Sequence, residues 1–248
     1  MGKNAIISVF DKTNLDLIAN FLIKKKFTIY STGGTSQYLK GINIPHIEIS
    51  KYTKQKEILD GRVKTLHPKI FGGLLGTNSR NHIKEQKRRG IVIFDILVIN
   101  LYPFEETVKR TKDKSKIIEM IDIGGHSLIR AAVKNYNHTI PITNPSDYKN
   151  FIKAFPLKQT QRKIFAKKAI QQVANYDEAI FNWFDGNTKD EYELRYGENP
   201  HQNAKALVNN DRFTQLSGDK KLSYNNLLDV DAAITVSYTH LTLPTKRI

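Results

Sequence analysis

No cysteine occurs among the 248 residues, which excludes disulfides, a thiolate nucleophile and a Cys-ligated metal site. No run approaches the roughly 20 uncharged apolar residues that a membrane-spanning helix requires. Neither an internal repeat nor a low-complexity tract is present. The opening "MGKNAIISVF" lacks a signal-peptide pattern, and "GKNAII" lacks the Ser/Thr of a myristoylation site, so a cytoplasmic location is expected. Acidic residues are scarce: 24 Asp plus Glu stand against 39 Lys plus Arg, a formal charge of +15. That balance points to an anionic partner, either nucleic acid or a phosphorylated metabolite. The basic clusters at 24–26, 84–89, 109–116 and 162–168 lie apart on expected helices and read as solvated faces, so charge alone selects neither partner. With 40% hydrophobic and 10% aromatic residues, the chain can bury a core for one large domain, or one domain and part of another.

What is present alternates between two periodicities. "AIISVF" (5–10), "FTIYS" (27–31), "HIEIS" (46–50), "FDILVINLY" (94–102) and "HTIPIT" (138–143) are short apolar runs expected to be strands, the last at an edge because of Pro141. Between them lie helical patterns: Leu15, Ile18, Ala19, Leu22 and Ile23 at helical spacing, "TSQYLKG", a charged stretch around 80–89, and segments around 104–120 and 126–136. A further helical stretch runs from about 145 to 184. Strands alternating with helices predict an α/β fold, a doubly wound, mostly parallel sheet sandwiched by helices. In such sheets ligands bind beyond the carboxyl ends of the strands.

Polar and glycine-rich stretches fall at those ends. "SVFDKT" brings Ser8, Lys12 and Thr13 after the first strand; "STGGT" brings Ser31, Thr32, Gly33, Gly34 and Thr35 after the second. The latter is either an anion cradle, in which glycines let backbone approach a ligand at a helix start, or an ordinary strand-to-helix turn. "GRVKTLHPK" adds Arg62, Lys64 and Thr65, donors suited to phosphate or carboxylate, or else forms an exposed basic loop. His67 beside Pro68 reads as a structural hydrogen bonder. "NLYPF" ends the most apolar strand with Asn100 and Tyr102. "IDIGGHSLIRAAVKN" opens a helix at Gly124 and Gly125, preceded by Asp122, with Lys134 about three turns on. Asp122 and Lys134 are a helix-start acid and a surface cation, or, if buried together, a pair tuned for proton transfer.

Taken in order, "SVxDKT", "STGGT", "DGRVKTLHPK", "NLYPF" and "IDIGGxxxxRAAxKN" resemble the bifunctional purine-biosynthesis family, which joins an inosine monophosphate (IMP) cyclohydrolase domain to an aminoimidazole carboxamide ribonucleotide (AICAR) formyltransferase domain. The resemblance implies a methylglyoxal synthase-like fold over residues 1–187 and closure of the purine ring of a formamido ribonucleotide to IMP. It implies Ser8, Lys12, Thr13, Ser31, Thr32, Gly33, Gly34, Thr35, Arg62, Thr65, Asn100, Gly124 and Gly125 as substrate contacts. Lys64, Tyr102, Asp122 and Lys134 would stand at the reacting centre, Lys134 transferring the proton and Asp122 tuning it. The cyclohydrolase reaction needs no cofactor and no metal. The partners implied are the phosphorylated ribonucleotide and IMP, with neither nucleic acid nor membrane, and a homodimer as in the family.

Two departures accompany the match. Phe10 stands where the family commonly has serine, which removes a polar contact and changes local packing. "LRYGENPHQ" and "LSYNNLLDVDAA" resemble the start of the formyltransferase domain over residues 188–234, with Arg195 and Tyr196 at positions that help bind its substrate. Residues 235–248, "TVSYTHLTLPTKRI" from Thr235 on, are expected to fall outside the family pattern and to be artefactual. Much of the site for 10-formyltetrahydrofolate, the formyltransferase cofactor, would lie beyond that point, so formyl transfer is not expected of this chain. The remaining alternative is a nucleotide-sensing module of the same fold without catalysis.

Overall fold

The computed structural model describes residues 3–186, 189–209 and 220–242. The chain divides into two compact units, Met1–Ile180 and Phe181–Ile248. The expected domain boundary between 187 and 188 and the last residues of the expected tail, 243–248, lie outside the described residues.

The first unit is built on five strands, β1 (Lys3–Ser8), β2 (Phe27–Ser31), β3 (Ile47–Glu48), β4 (Ile96–Ile99) and β5 (Ile140–Ile142), in the order β3-β2-β1-β4-β5. Every pairing is parallel. Period-two alternation along β1 sends Ala5, Ile7 and Val9 into one apolar layer with Leu15, Ile18 and Leu22 of α1 (Leu15–Lys24) and Tyr148 and Phe151 of α9 (Tyr148–Ala154). Ile6, between them, is equally buried, as a sheet covered on both faces requires. The other layer holds α4 (Pro68–Leu75) and α8 (Ile123–Lys134). Asn135 Nδ2 donates to the carbonyls of Leu74 (2.7 Å) and Gly76 (2.9 Å), and Thr139 Oγ1 donates to that of Phe94 (2.8 Å), tying this layer to the sheet. Gly73 permits the closeness: a Cβ there would lie 2.6 Å from the Phe94 ring.

Pro141 does fall in the edge strand, where a missing N–H breaks no ladder. Other boundaries differ from those expected. The third strand is only two residues long, because the chain turns at Ile49 into α3 (Ile49–Thr53) and buries that side chain. The helix expected over 104–120 is two, α6 (Phe104–Arg110) and α7 (Lys114–Glu119). Asp113 starts the second by accepting from the amides of Ser115 (3.0 Å) and Lys116 (3.4 Å), the competition with helical bonding that favours Asp at caps. The segment 145–184 breaks at Pro156, whose preceding residue is extended, before α10 (Gln159–Phe184) begins. Two more helices complete this unit, α2 (Gly33–Gly41) and α5 (Arg80–Arg89). The second unit contains the antiparallel pair β6 (Lys189–Glu193) and β7 (Lys205–Asn209) and helix α11 (Tyr224–Thr242).

The strand order reverses direction between β1 and β4. That is where a doubly wound sheet opens a crevice beyond its carboxyl ends.

Candidate functional site

A cavity of about 720 Å³ occupies that crevice, within the usual range for small-molecule sites. Its walls come from the ends of β1 (Ser8, Val9, Phe10, Lys12), β2 (Thr32–Thr35) and β4 (Asn100, Tyr102), from the loop Asp60–Thr65, and from the start of α8 (Asp122–Gly125). Five segments distant in sequence thus meet in one place.

One end of the cavity is polar. Thr32 stands at the cap position of α2 but does not cap it, because its Oγ1 pairs with Ser8 Oγ at 2.9 Å. The amides of Thr35 and Ser36 bond back to the Thr32 carbonyl, while those of Gly33 and Gly34, two residues that line the cavity, have no protein acceptor among the described residues. Thr35 secures the cradle from beneath: its buried Oγ1 accepts from Val9 N–H (3.0 Å) and donates to Val9 C=O (2.9 Å). Thr35→Val keeps the shape, strands the Val9 amide and leaves the Val9 carbonyl only a long contact with Lys12 Nζ (3.4 Å), so it is expected to lower stability by about 1–3 kcal/mol. A thermal melt checks this, each kcal/mol lowering Tm by about 2–4 °C at this size.

Lys64 brings the charge. Its ammonium lies 3.5 Å from Glu57 and 3.5 Å from where a Cβ of Gly33 would be, over the start of α2. Gly61 makes room for the Lys64 stem, since a Cβ there would fall 2.5 Å from Cε, and its φ of +88° suits glycine. Arg62 pairs with Glu119 of α7, with Nε 3.3 Å from Oε1, and this pair is exposed. His67 caps α4 by accepting from Lys69 N–H at 3.1 Å.

At the other side, the two glycines of "IDIGG" have separate steric reasons. A Cβ on Gly124 would lie 2.9 Å from Thr65 Oγ1, and one on Gly125 would lie 2.5 Å from the Asp122 carboxylate. Their absence lets Asp122 fold over the first turn of α8 and accept from Gly125 N–H at 2.6 Å. Burial pushes the Asp122 carboxyl above the usual carboxylate range, against the opposing pull of the Gly125 and Tyr102 amides and of the nearby His126 and Lys64 side chains. Tyr176 supports it from α10: its hydroxyl accepts from Asp122 N–H at 2.9 Å and donates to the Met120 carbonyl. Burial pushes that phenol up to about 12, so it stays a neutral donor.

Of the residues predicted from sequence, the cavity brings together Ser8, Lys12, Thr32, Gly33, Gly34, Thr35, Arg62, Lys64, Thr65, Asn100, Tyr102, Asp122, Gly124 and Gly125. Asn100 lines the cavity and also binds the loop that follows β1. Its Oδ1 accepts from the amides of Phe10 (2.6 Å) and Asp11 (3.0 Å), and its Nδ2 donates to Asp11 C=O (2.9 Å). Ser31 lies below the surface with its Oγ on the Ile7 carbonyl (2.9 Å), facing a smaller recess of about 200 Å³. Thr13 is exposed, its amide held by Asp11 Oδ1 at 2.9 Å, and does not line the cavity. Lys134 is the exposed last residue of α8, about 15 Å along the helix axis from Gly124, and is not among the residues of this chain that line the cavity. Arg195 and Tyr196 lie in the second unit, Arg195 on Asn226 Oδ1 at 3.3 Å and over the Tyr196 ring at 5.4 Å. Sequence reasoning missed the wall formed by Ile118–Ile121, which carries no motif, and Asp60, which lies in a quoted motif but was assigned no role.

The parallel α/β unit, with its cavity at the strand-order reversal, is of the methylglyoxal synthase-like class, and residues 14–127 match the family model described as "MGS-like domain". Residues 132–244 match the model "AICARFT/IMPCHase bienzyme", a match that runs into the segment expected to fall outside the pattern. The chain is homologous to the bifunctional purine biosynthesis proteins PurH, an enzyme family, over 94% of its length. It is 40% identical to that of Staphylococcus saprophyticus, 41% to that of Prochlorococcus marinus and 42% to that of Natranaerobius thermophilus. The chain spans about half the length of these relatives, 49% of each. Among solved structures, the crystal structure of ForH superposes with a TM-score of 0.67 at 26% identity, covering 74% of this chain and all of that one. No helix among the described residues is long and apolar enough to cross a membrane.

Proposed function

We propose that the first unit closes the purine ring of a formamido-imidazole carboxamide ribonucleotide, giving IMP and water. The observation that carries this reading is a single cavity that holds an anion cradle at one side and, at the other, a half-buried carboxyl of raised proton affinity. In this reading the phosphate is taken by Ser8, Thr32 and the Gly33 and Gly34 amides, with Lys64 supplying positive charge. The carboxamide nitrogen attacks the formyl carbon, forming the new N–C bond, and Asp122 accepts the nitrogen's proton. Tyr102 donates toward the formyl oxygen, which leaves as water with the two protons that the nitrogens release. The ring closure asks for no redox cofactor. Lys134 has no part in it within one chain, and Thr13, Ser31 and Asn100 hold the loops rather than the substrate.

Arg195 and Tyr196 support a relation of the second unit to the formyltransferase half, whose cofactor in this reading would be 10-formyltetrahydrofolate. The deciding experiment mixes purified protein with the formamido ribonucleotide and follows absorbance with product identification. Formation of IMP is the expected result. Tight IMP binding without turnover would replace the enzyme by a nucleotide-sensing module of the same fold.

A further inference from the structure

We propose that Phe10, with Tyr102, forms an aromatic wall that recognises the flat base of the bound nucleotide and sets the preference of the site for a nucleotide over a simple sugar phosphate. This rests on the reading of the cavity as a ribonucleotide site. Phe10 lines the cavity yet is 48% exposed, a large apolar ring left half in water at the mouth of a polar crevice. The exposure is not that of a loose loop. Its amide is fixed by Asn100 Oδ1 at 2.6 Å, its carbonyl takes Lys12 Nζ at 3.1 Å, and Asp11 is held on both sides by the same Asn100. The ring meets Tyr102 edge to face, centroids 5.5 Å apart and planes at 76°, and its 48% exposure leaves surface for a further ring. Ile118, Ile121 and Ile123 add aliphatic surface to the same cavity, and Ile118 and Ile123 are themselves 47% and 58% exposed. A phosphate or a ribose gains nothing from such surface. A heteroaromatic ring does, and the stacking is tolerant of its exact hydrogen-bonding edge.

The test compares calorimetric titrations of IMP and of ribose 5-phosphate into the full chain and into Phe10→Ser and Phe10→Tyr. Wild-type protein is expected to bind IMP more tightly than ribose 5-phosphate by at least tenfold. Phe10→Ser is expected to weaken IMP by about tenfold and ribose 5-phosphate by less than about twofold, with Phe10→Tyr restoring IMP binding. Equal weakening of both ligands would mean that the substitution damaged the loop or the cradle, and would overturn the wall. So would an IMP preference that survives Phe10→Ser. A wild-type protein with no preference for IMP overturns both the wall and the nucleotide reading. Absence of turnover alongside a Phe10-dependent preference removes only the enzymatic reading and leaves the wall standing.

Discussion

Asp122→Asn is expected to lower turnover of the formamido ribonucleotide by about 10²–10⁴-fold, the usual worth of a positioned general base, while IMP affinity changes by less than about threefold. The separation follows from how Asp122 is held. Asn keeps an oxygen for the Gly125 amide and is as good a helix cap as Asp, so α8 and the Tyr176 contact survive. What it loses is basicity. The pH dependence gives a second handle, and the sign can be worked out. Burial raises the Asp122 proton affinity, and the reaction needs the ionised form. Wild-type turnover should therefore rise with pH through a limb displaced above the ordinary carboxylate value, and the residual activity of Asp122→Asn should lack that limb. A variant that loses affinity and turnover in equal measure would reduce Asp122 to a helix cap.

The same group bears on stability in the opposite sense from a salt-bridged acid. A carboxyl whose folded proton affinity is raised costs nothing while protonated in both states, below the unfolded value. It detracts from stability as pH rises from there through the folded value. The amides of Gly125 and Tyr102 limit that loss, which fits a residue kept for chemistry at a tolerable expense in stability.

Much of this arrangement was legible in the order of residues. Apolar runs marked the strands, and their polar ends marked the crevice, because a parallel sheet puts its ligands beyond its carboxyl ends. Ser8, Thr32 and Asp122 could be picked out since each directly follows a strand or precedes a helix. The place of Lys134 was not legible, for a geometric reason. Twelve residues of helix carry a chain about 18 Å, so a lysine in the same motif as Asp122 stands at the opposite end of α8. The loop contacts of Asn100 were not legible either: its partners Phe10 and Asp11 lie some 90 positions away, and only the parallel pairing of β1 with β4 brings them to it. The split of 104–120 rested on the side chain of Asp113 outcompeting helical bonding, a local contest that apolar periodicity does not register. The glycines of "IDIGG" were noticed as a helix start. Their real constraint is contact with Thr65 Oγ1 for one and the Asp122 carboxylate for the other, which only the folded chain displays.

Lys64→Met is expected to weaken IMP binding by about 10–100-fold and to reduce turnover by at least as much, the range corresponding to loss of a hydrogen bond to a charged group. Met keeps the length and apolar stem that Gly61 accommodates, so the loop retains its packing. The reason for placing the larger binding effect here rather than at Arg62 is the company each keeps. Arg62 projects into solvent and is matched by Glu119, a pair that water and salt screen. Lys64 also has a carboxylate beside it, Glu57 at 3.5 Å, but it is only 31% exposed and stands where the unbonded amides of α2 begin, so its charge and the helix start act on the same anion. Arg62→Ala should therefore weaken IMP by less than about fivefold under the same conditions. If the two variants lose equally, or if Lys64→Met binds IMP like the wild type, the anion sits elsewhere in the cavity. The clamp of "GRVKTLHPK" would then reduce to the exposed basic loop that its composition also allows.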